Sequence, residues 1–345
     1  MREPRFDNML KVLRRQVPDR PVIYELFLND TLYKKLAGPD LASAAGRLAR
    51  LRMVIAAMSK AGYDYAPHVL EDFNFPVGEF HTAQTISLNE GRSITDRKSF
   101  DAYAWPDPAK FDYDVLGDIS PDLPDTMKII VLGPCGVLEN VIRIVGFDRI
   151  CIMLADDPRL AKDICDGVGS RLVKYYERCV KFDTVGAIVG NDDWGFKTQT
   201  MLSPRDMRKY VFPWHKKIVA VAHRAGRPAI LHSCGNLRLV MDDVIDDIKY
   251  DAKHSYEDII QPVEEAYEEY GGRIAVMGGI DLNFLCRSTV DEVRKRSRAM
   301  LERSAKRGGY ALGTGNSVPE FIPEENYFAM TSAALQPAES AGSNG

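Results

Sequence analysis

The chain has 345 residues, a net charge of −4 and 45% hydrophobic residues. That is the make-up of a globular protein with a large core, and one α/β barrel reaches this length as a single domain. The mild negative charge gives no field for nucleic acid or anionic lipid. No run approaches the roughly 18 apolar residues that a membrane span requires.

The N-terminal MREPRFDNMLKVLRRQVPDR lacks the apolar stretch of a signal peptide. The six cysteines, Cys135, Cys151, Cys165, Cys179, Cys234 and Cys286, are scattered without a CxxC. That argues for a reducing, cytoplasmic setting, with Cys151, Cys165 and Cys179 as small apolar helix residues.

In chain order, residues 5–16 read as an entry helix closed by Pro18 and Pro21, and Val22–Leu26 as a first strand. Residues 41–61 are Ala/Leu-rich and helical, and Tyr63–His68 is the next strand. Residues 70–125 break the rhythm with aromatics, Pro and Asp, and are expected to form an inserted, lid-like segment over a binding face. Met127–Leu132 is a continuous apolar strand, broken by Gly133-Pro134-Cys135-Gly136. Helical pattern follows at 137–147 and 158–180.

Ala187–Val189 is a strand that exits through Gly190-Asn191-Asp192-Asp193. Ser203 and Pro204 open a helix to about 224, as N-cap and first residue. The strand Ala229–Leu231 then leads into His232-Ser233-Cys234-Gly235. Residues 237–246 are helical. Strands at 250–255, 274–277 and 310–312 alternate with helices at 262–270, 289–307 and 323–335. These are about eight short, continuous apolar strands, most followed by a helix. The expected fold is an α/β (β/α)₈ TIM barrel over residues 1–337, with 338–345 a disordered tail. The rival, a doubly wound open sheet, calls for a Gly-rich nucleotide loop that the early strands lack.

Barrel active sites lie at the C-terminal strand ends. Ionisable and polar residues recur there: Glu25, His68, Cys135, Asp192, Asp193, His232, Cys234, Lys253, His254, Asp281, Thr314 and Asn316. Alternation points His232 and Cys234 the same way, and an imidazole beside a thiolate is half of a zinc site. The same pair could equally be a packed histidine and an inert cysteine. Asp192, Asp193 and Asp281 are candidate catalytic carboxylates, or turn and cap residues. Glu25 needs a partner if it is buried, which makes it a candidate base or ligand. His68, Lys253, His254, Thr314 and Asn316 are candidate substrate contacts.

LHSCGN (231–236), AKHSYEDII (252–260), MGGIDLNFL (277–285), LGTGNSVPEFIPEENY (312–327) and GNDDWGFKTQTMLSP (190–204) resemble the uroporphyrinogen decarboxylase superfamily. The resemblance covers most of residues 130–335 and implies a (β/α)₈ barrel. It implies one of two chemistries. One is zinc-dependent methyl transfer between a small donor and a corrinoid or thiol, with the corrinoid on a separate partner protein. The other is metal-free decarboxylation of uroporphyrinogen III, in which an Asp stabilises a pyrrolic cation. A non-catalytic tetrapyrrole or corrinoid binder is a third reading. In the methyltransferases a His-x-Cys pair and a later Cys bind zinc. His232 and Cys234 match the pair, and Thr314 stands where the later Cys falls. Glu25, Cys135, Asp192 and Asp281 are then the candidates for the third ligand. The decarboxylase's Arg-rich segment has no counterpart in YELFLNDTLYKKLAG. Barrels of this size are often homodimers, which is the expected assembly.

Overall fold

The computed structural model describes residues 2–70, 72–77, 88–89 and 93–336. Seven strands lie in chain order in one sheet: β1 Tyr65–Val69, β2 Lys128–Leu132, β3 Val185–Asn191, β4 Ala229–His232, β5 Ala252–His254, β6 Ala275–Met277 and β7 Tyr310–Ala311. Where pairing is described it is parallel. The short apolar runs are buried along nearly their whole length, as parallel strands covered on both faces must be. The run Val22–Leu26 makes a parallel bridge, Ile23 to Leu312, rather than a full strand. Its backbone is nonetheless paired, with Tyr24 N donating to Leu312 O at 2.8 Å and Leu312 N to Val22 O at 2.9 Å.

The chain forms two compact units. The first comprises Met1–Ala66, Asp122–Lys128 and Ala252–Gly345; the second comprises Pro67–Pro121 and Ile129–Asp251.

In the second unit, β2 pairs with β3 and β3 with β4, Leu132 opposite Val189 and Asn191 opposite His232, with a register shift in β2 between Ile129 and Ile130. Helix Pro158–Cys179 is started by Asp157, whose carboxylate accepts Leu160 N, and by Pro158 at its first position. It buries Leu160, Ile164, Val168, Leu172, Tyr175 and Tyr176. The aromatics of 70–125 pack on this helix. Phe73 stacks on Tyr175 at 5.2 Å, and the Arg171 guanidinium lies over the Trp105 ring at 4.5 Å. Trp105 sits so close to Gly167 that a Cβ there would meet the indole at 2.4 Å. Trp105 and Phe73 thus pack on the helix, and Phe75 packs edge-on to both of them. Residues 71, 78–87 and 90–92, also expected in the lid, lie outside the described residues.

Two other expectations are refined. The helix expected from Ser203 begins at Pro204 but passes through a π-helical turn, Met207–Val211, before continuing as Phe212–Arg224. The helix expected at 237–246 is a 3₁₀ turn, Arg238–Val240, followed by a second π-helical segment, Asp243–Ile248. Cys165 and Cys179 are buried as expected, whereas Cys151 is exposed.

In the first unit, β5, β6 and β7 pair in register, Lys253 with Val276 and Met277 with Ala311. Helix Val290–Ser304 carries a capping box, Thr289 with Glu292. No helix among the described residues is long and apolar enough to cross a membrane.

Candidate metal centre

In the second unit, the pairing of β3 with β4 continues past the strand ends. Asp192 N donates to His232 O at 2.9 Å, and Gly195 N to Cys234 O at 3.2 Å. The two exit loops are pressed together, since a Cβ on Gly235 would meet Gly195 O at 2.1 Å. Gly235 also has φ +84°, in the region that favours glycine. This close approach brings Asp193 to the His-x-Cys pair. Its Oδ1 accepts Cys234 N at 2.8 Å and lies 4.0 Å from His232 Nε2. Cys234 Sγ is 3.8 Å from the same nitrogen. The three donor atoms lie within 4.8 Å of one another.

Tetrahedral zinc with usual bond lengths holds S, N and O donors about 3.3–3.6 Å apart. The His232–Cys234 pair at 3.8 Å is close to that spacing, whereas the Asp193 oxygen, 4.0 Å from His232 Nε2, has to move inward by more than half an ångström to ligate with them. One sulfur, one imidazole nitrogen and one carboxylate oxygen suit zinc, and three protein ligands leave a fourth position for a reactant. The His232 side chain is only 9% exposed and the Asp193 side chain 35%.

The structure thus brings a third possible donor, Asp193, one of the candidate catalytic carboxylates, beside the His-x-Cys pair. The residues considered for that position have other partners. Asp192 faces away from the cluster, as the next residue along an extended backbone should. It is fully buried. Its Oδ2 accepts Leu138 N at 2.9 Å and its Oδ1 accepts Glu139 N at 2.8 Å, which caps helix Val137–Val145. Oδ2 also receives His215 Nε2 at 2.9 Å. Cys135 lies outside the cluster, with Arg143 Nη1 3.4 Å from its sulfur, and burial pushes its thiol up to about 11. Asp281, in the first unit, accepts Phe284 N at 3.0 Å as the N-cap of Leu282–Arg287, and Asp258 N at 2.9 Å.

Glu139 was not foreseen. Burial, together with the nearby Asp192 and Asp193 charges, raises the pKa of its carboxyl. Only its place in the first turn after Gly133-Pro134-Cys135-Gly136 marks it in the sequence.

At the end of β1, His68 is pushed down to about 4 by burial, and its Nε2 has no hydrogen-bond partner among the described residues. It is a neutral imidazole at neutral pH.

Glu25, in the first unit, is fully buried. Oε1 accepts Thr314 N at 2.7 Å, and Oε2 lies 2.5 Å from Thr314 Oγ1. That hydroxyl is also 2.6 Å from Asn316 O. A hydroxyl has one hydrogen. If it goes to the carbonyl, which can only accept, the Glu25 contact requires the hydrogen on Glu25. Burial pushes the Glu25 carboxyl up to about 8, in agreement. Gly313 makes room, since a Cβ there would meet Tyr24 O at 1.7 Å. His254 Nε2 is 3.2 Å from Thr314 O. Lys253 Nζ donates to Ser255 O and lies 4.1 Å from the centre of the Tyr256 ring. Asn316 Oδ1 accepts Ser317 N at 2.8 Å. Glu25, His254, Thr314 and Asn316 are therefore one hydrogen-bonded group, with Lys253 on separate partners.

Parallel strands with a donor cluster at the exits of β3 and β4 define an α/β protein of the enzyme-bearing, strand-end type. The uroporphyrinogen decarboxylase (URO-D) family matches residues 92–336, and the chain belongs to that family. A methyltransferase from Methanosarcina mazei shares the fold, with a TM-score of 0.74 at 15% identity over 95% of this chain and 97% of that one. A DUF72 family protein from Enterococcus faecalis aligns over 68% of this chain and 87% of its own, at 10% identity and a TM-score of 0.34. No curated protein matches the sequence.

Proposed function

We propose that this chain is a zinc-dependent methyltransferase of the URO-D family, moving a methyl group between a small donor and a corrinoid or thiol acceptor. The observation that carries the reading is the convergence of Asp193, His232 and Cys234 donor atoms within 4.8 Å. The fold shared with the Methanosarcina mazei methyltransferase, along almost the full length of both chains, supports it. In this reading Val22–Leu26 stands as the eighth strand of a (β/α)₈ barrel. A corrinoid acceptor would be carried by a partner protein.

Zinc held there would lower the pKa of a bound thiol, or polarise a methoxy oxygen or amine nitrogen, so that methyl transfer proceeds at neutral pH. The chain's own residues hold and orient. Cys234 N fixes the rotamer of Asp193 through Oδ1, and Gly195 and Gly235 allow the two loops to meet. His232, nearly buried, is shielded from competing water. The metal-free decarboxylase reading asks an Asp to face a pyrrolic cation. Asp192 and Asp281 instead face backbone N–H donors, and no observation favours that reading.

Metal content tests the proposal. Wild-type protein purified without chelator should hold about one zinc per chain. Cys234→Ser and Asp193→Asn should each lose most of it. Wild-type protein that stays metal-free after incubation with zinc would overturn the reading.

A further inference from the structure

The second unit contains a buried polar chain that no part of the methyl-transfer chemistry uses. Tyr250 and His215 approach at 2.7 Å between the hydroxyl and Nδ1, and His215 Nε2 meets Asp192 Oδ2 at 2.9 Å. All three residues are buried. The carboxylate can only accept, so Nε2 carries the hydrogen, and Nδ1 then accepts from the Tyr250 hydroxyl. Burial raises the Tyr250 phenol well above its ordinary range, so it keeps that hydrogen.

Both outer members are set by irregular backbone. His215 follows the π-helical turn Met207–Val211, and Tyr250 follows the π-helical segment Asp243–Ile248 and the left-handed Lys249 at φ +68°. π-turns are rare and concentrate at functional sites. Space is cleared as well, since a Cβ on Gly190 would meet the Tyr250 oxygen at 2.1 Å, and one on Gly136 would meet Asp192 Cβ at the same distance. The Trp194 ring stands edge-on to His215, 4.8 Å between centroids.

The chain ends at the metal centre. The Asp192 carboxylate receives the N–H of Leu138 and of Glu139, and Asp192 N donates to His232 O at 2.9 Å, so this residue is held through both side chain and backbone. Asp193, next in the chain, is the oxygen donor of the cluster. We propose that His215 and Tyr250 are positioning residues for the zinc site, acting through Asp192 to hold the adjacent Asp193 carboxylate at ligating distance. The inference rests on the zinc reading. It concerns two residues that touch neither metal nor substrate.

The test is zinc affinity, measured by competition with a chromophoric chelator, together with the absorption spectrum of the cobalt(II)-substituted protein. His215→Phe keeps an aromatic ring, somewhat larger than the imidazole, and removes both nitrogens. Its zinc affinity should fall 10- to 100-fold, the range for lost outer-shell partners of a metal ligand. The cobalt spectrum should shift as the carboxylate is displaced. His215→Gln, which can again donate an N–H to Asp192, should recover most of the affinity. Tyr250→Phe should weaken binding about tenfold, the lower end of that range. A merely structural role would lower the melting temperature of His215→Phe without changing the affinity or spectrum of the folded fraction, and would overturn the proposal. If His215→Phe does not fold, Tyr250→Phe decides, and wild-type affinity there overturns it. Absence of zinc binding in the wild type would instead overturn the zinc reading, and this inference with it.

Discussion

Asp192 in the second unit and Glu25 in the first are both fully buried carboxyl groups beside short apolar runs. Their partners differ in kind. Asp192 faces an obligatory backbone N–H donor at each oxygen, Leu138 N and Glu139 N, and His215 Nε2 beside them. Glu25 faces one N–H and a hydroxyl whose single hydrogen has a second acceptor, Asn316 O. The first environment is built for a carboxylate and the second for a carboxylic acid. A buried acid is made neutral or charged by the donors placed around it, so burial alone does not tell which role it has. The charged one lies next to Asp193 of the Asp193, His232 and Cys234 cluster; the neutral one joins the Val22–Leu26 run to the loop after β7.

The same change, carboxyl to amide, separates the two. Asp192→Asn has the largest effect expected. The amide can turn only one oxygen to three donors, and its NH₂ is set against an N–H. Loss of hydrogen bonds to a buried charged group costs about 3 kcal/mol. Urea unfolding should show that loss, and zinc affinity should fall with it because Asp193, the next residue in the chain, is less firmly held. Unchanged stability would mean that Asp192 is not the charged centre of the network.

Asp281→Asn comes next. Asp281 accepts one N–H with each oxygen, from Phe284 and Asp258, at the rim of the first unit. One of the two bonds survives the exchange, and the loss should be about 1 kcal/mol. Zinc content should stay at the wild-type level, since Asp281 has no part in the cluster. A drop in zinc would return Asp281 to the list of ligand candidates.

Much of this could be read in advance. The order of strands and helices follows from apolar runs and caps such as Ser203-Pro204 and Thr289, and the His232/Cys234 pair declares itself by alternation. What could not be read depends on contacts between segments. Asp192 and Asp193 are equivalent as adjacent letters. The register of β3 on β4, with Asn191 opposite His232, and the close approach of Gly195 to Gly235 decide which one joins the cluster. The two π-turns have no periodicity of their own, so His215 and Tyr250 read as ordinary helix and strand-edge residues. Val22–Leu26 looks like a strand but makes a bridge and carries a side-chain acid instead of a long ladder. The aromatics of 70–125 suggested a cover over a pocket; Phe73 and Trp105 are accounted for by packing on Pro158–Cys179.

Glu25→Gln should have the smallest effect, provided the pH is low. Near pH 4, below the unfolded value of 4.5, both the acid and the amide are neutral in folded and unfolded chains, the amide oxygen can accept Thr314 N, and its NH₂ can donate to Thr314 Oγ1. The difference should be a few tenths of a kcal/mol. The sign at higher pH follows from the shift. The native carboxyl is raised from 4.5 to about 8, so between those values the native state holds a proton that the unfolded chain has released. Wild-type stability contributed by this group is fully present below about 4.5 and is lost as pH rises toward 8, by up to about 1.4 kcal/mol per pH unit. The neighbouring phenols of Tyr24, Tyr63 and Tyr65 are all raised by burial and stay neutral across that window. Glu25→Gln has no proton to lose. Its stability relative to the wild type should therefore climb from near zero at about pH 4 to a clear gain at pH 8, then level off. Parallel curves for the two proteins over that range would show that Glu25 is a carboxylate in the folded state, and the contrast with Asp192 would fail.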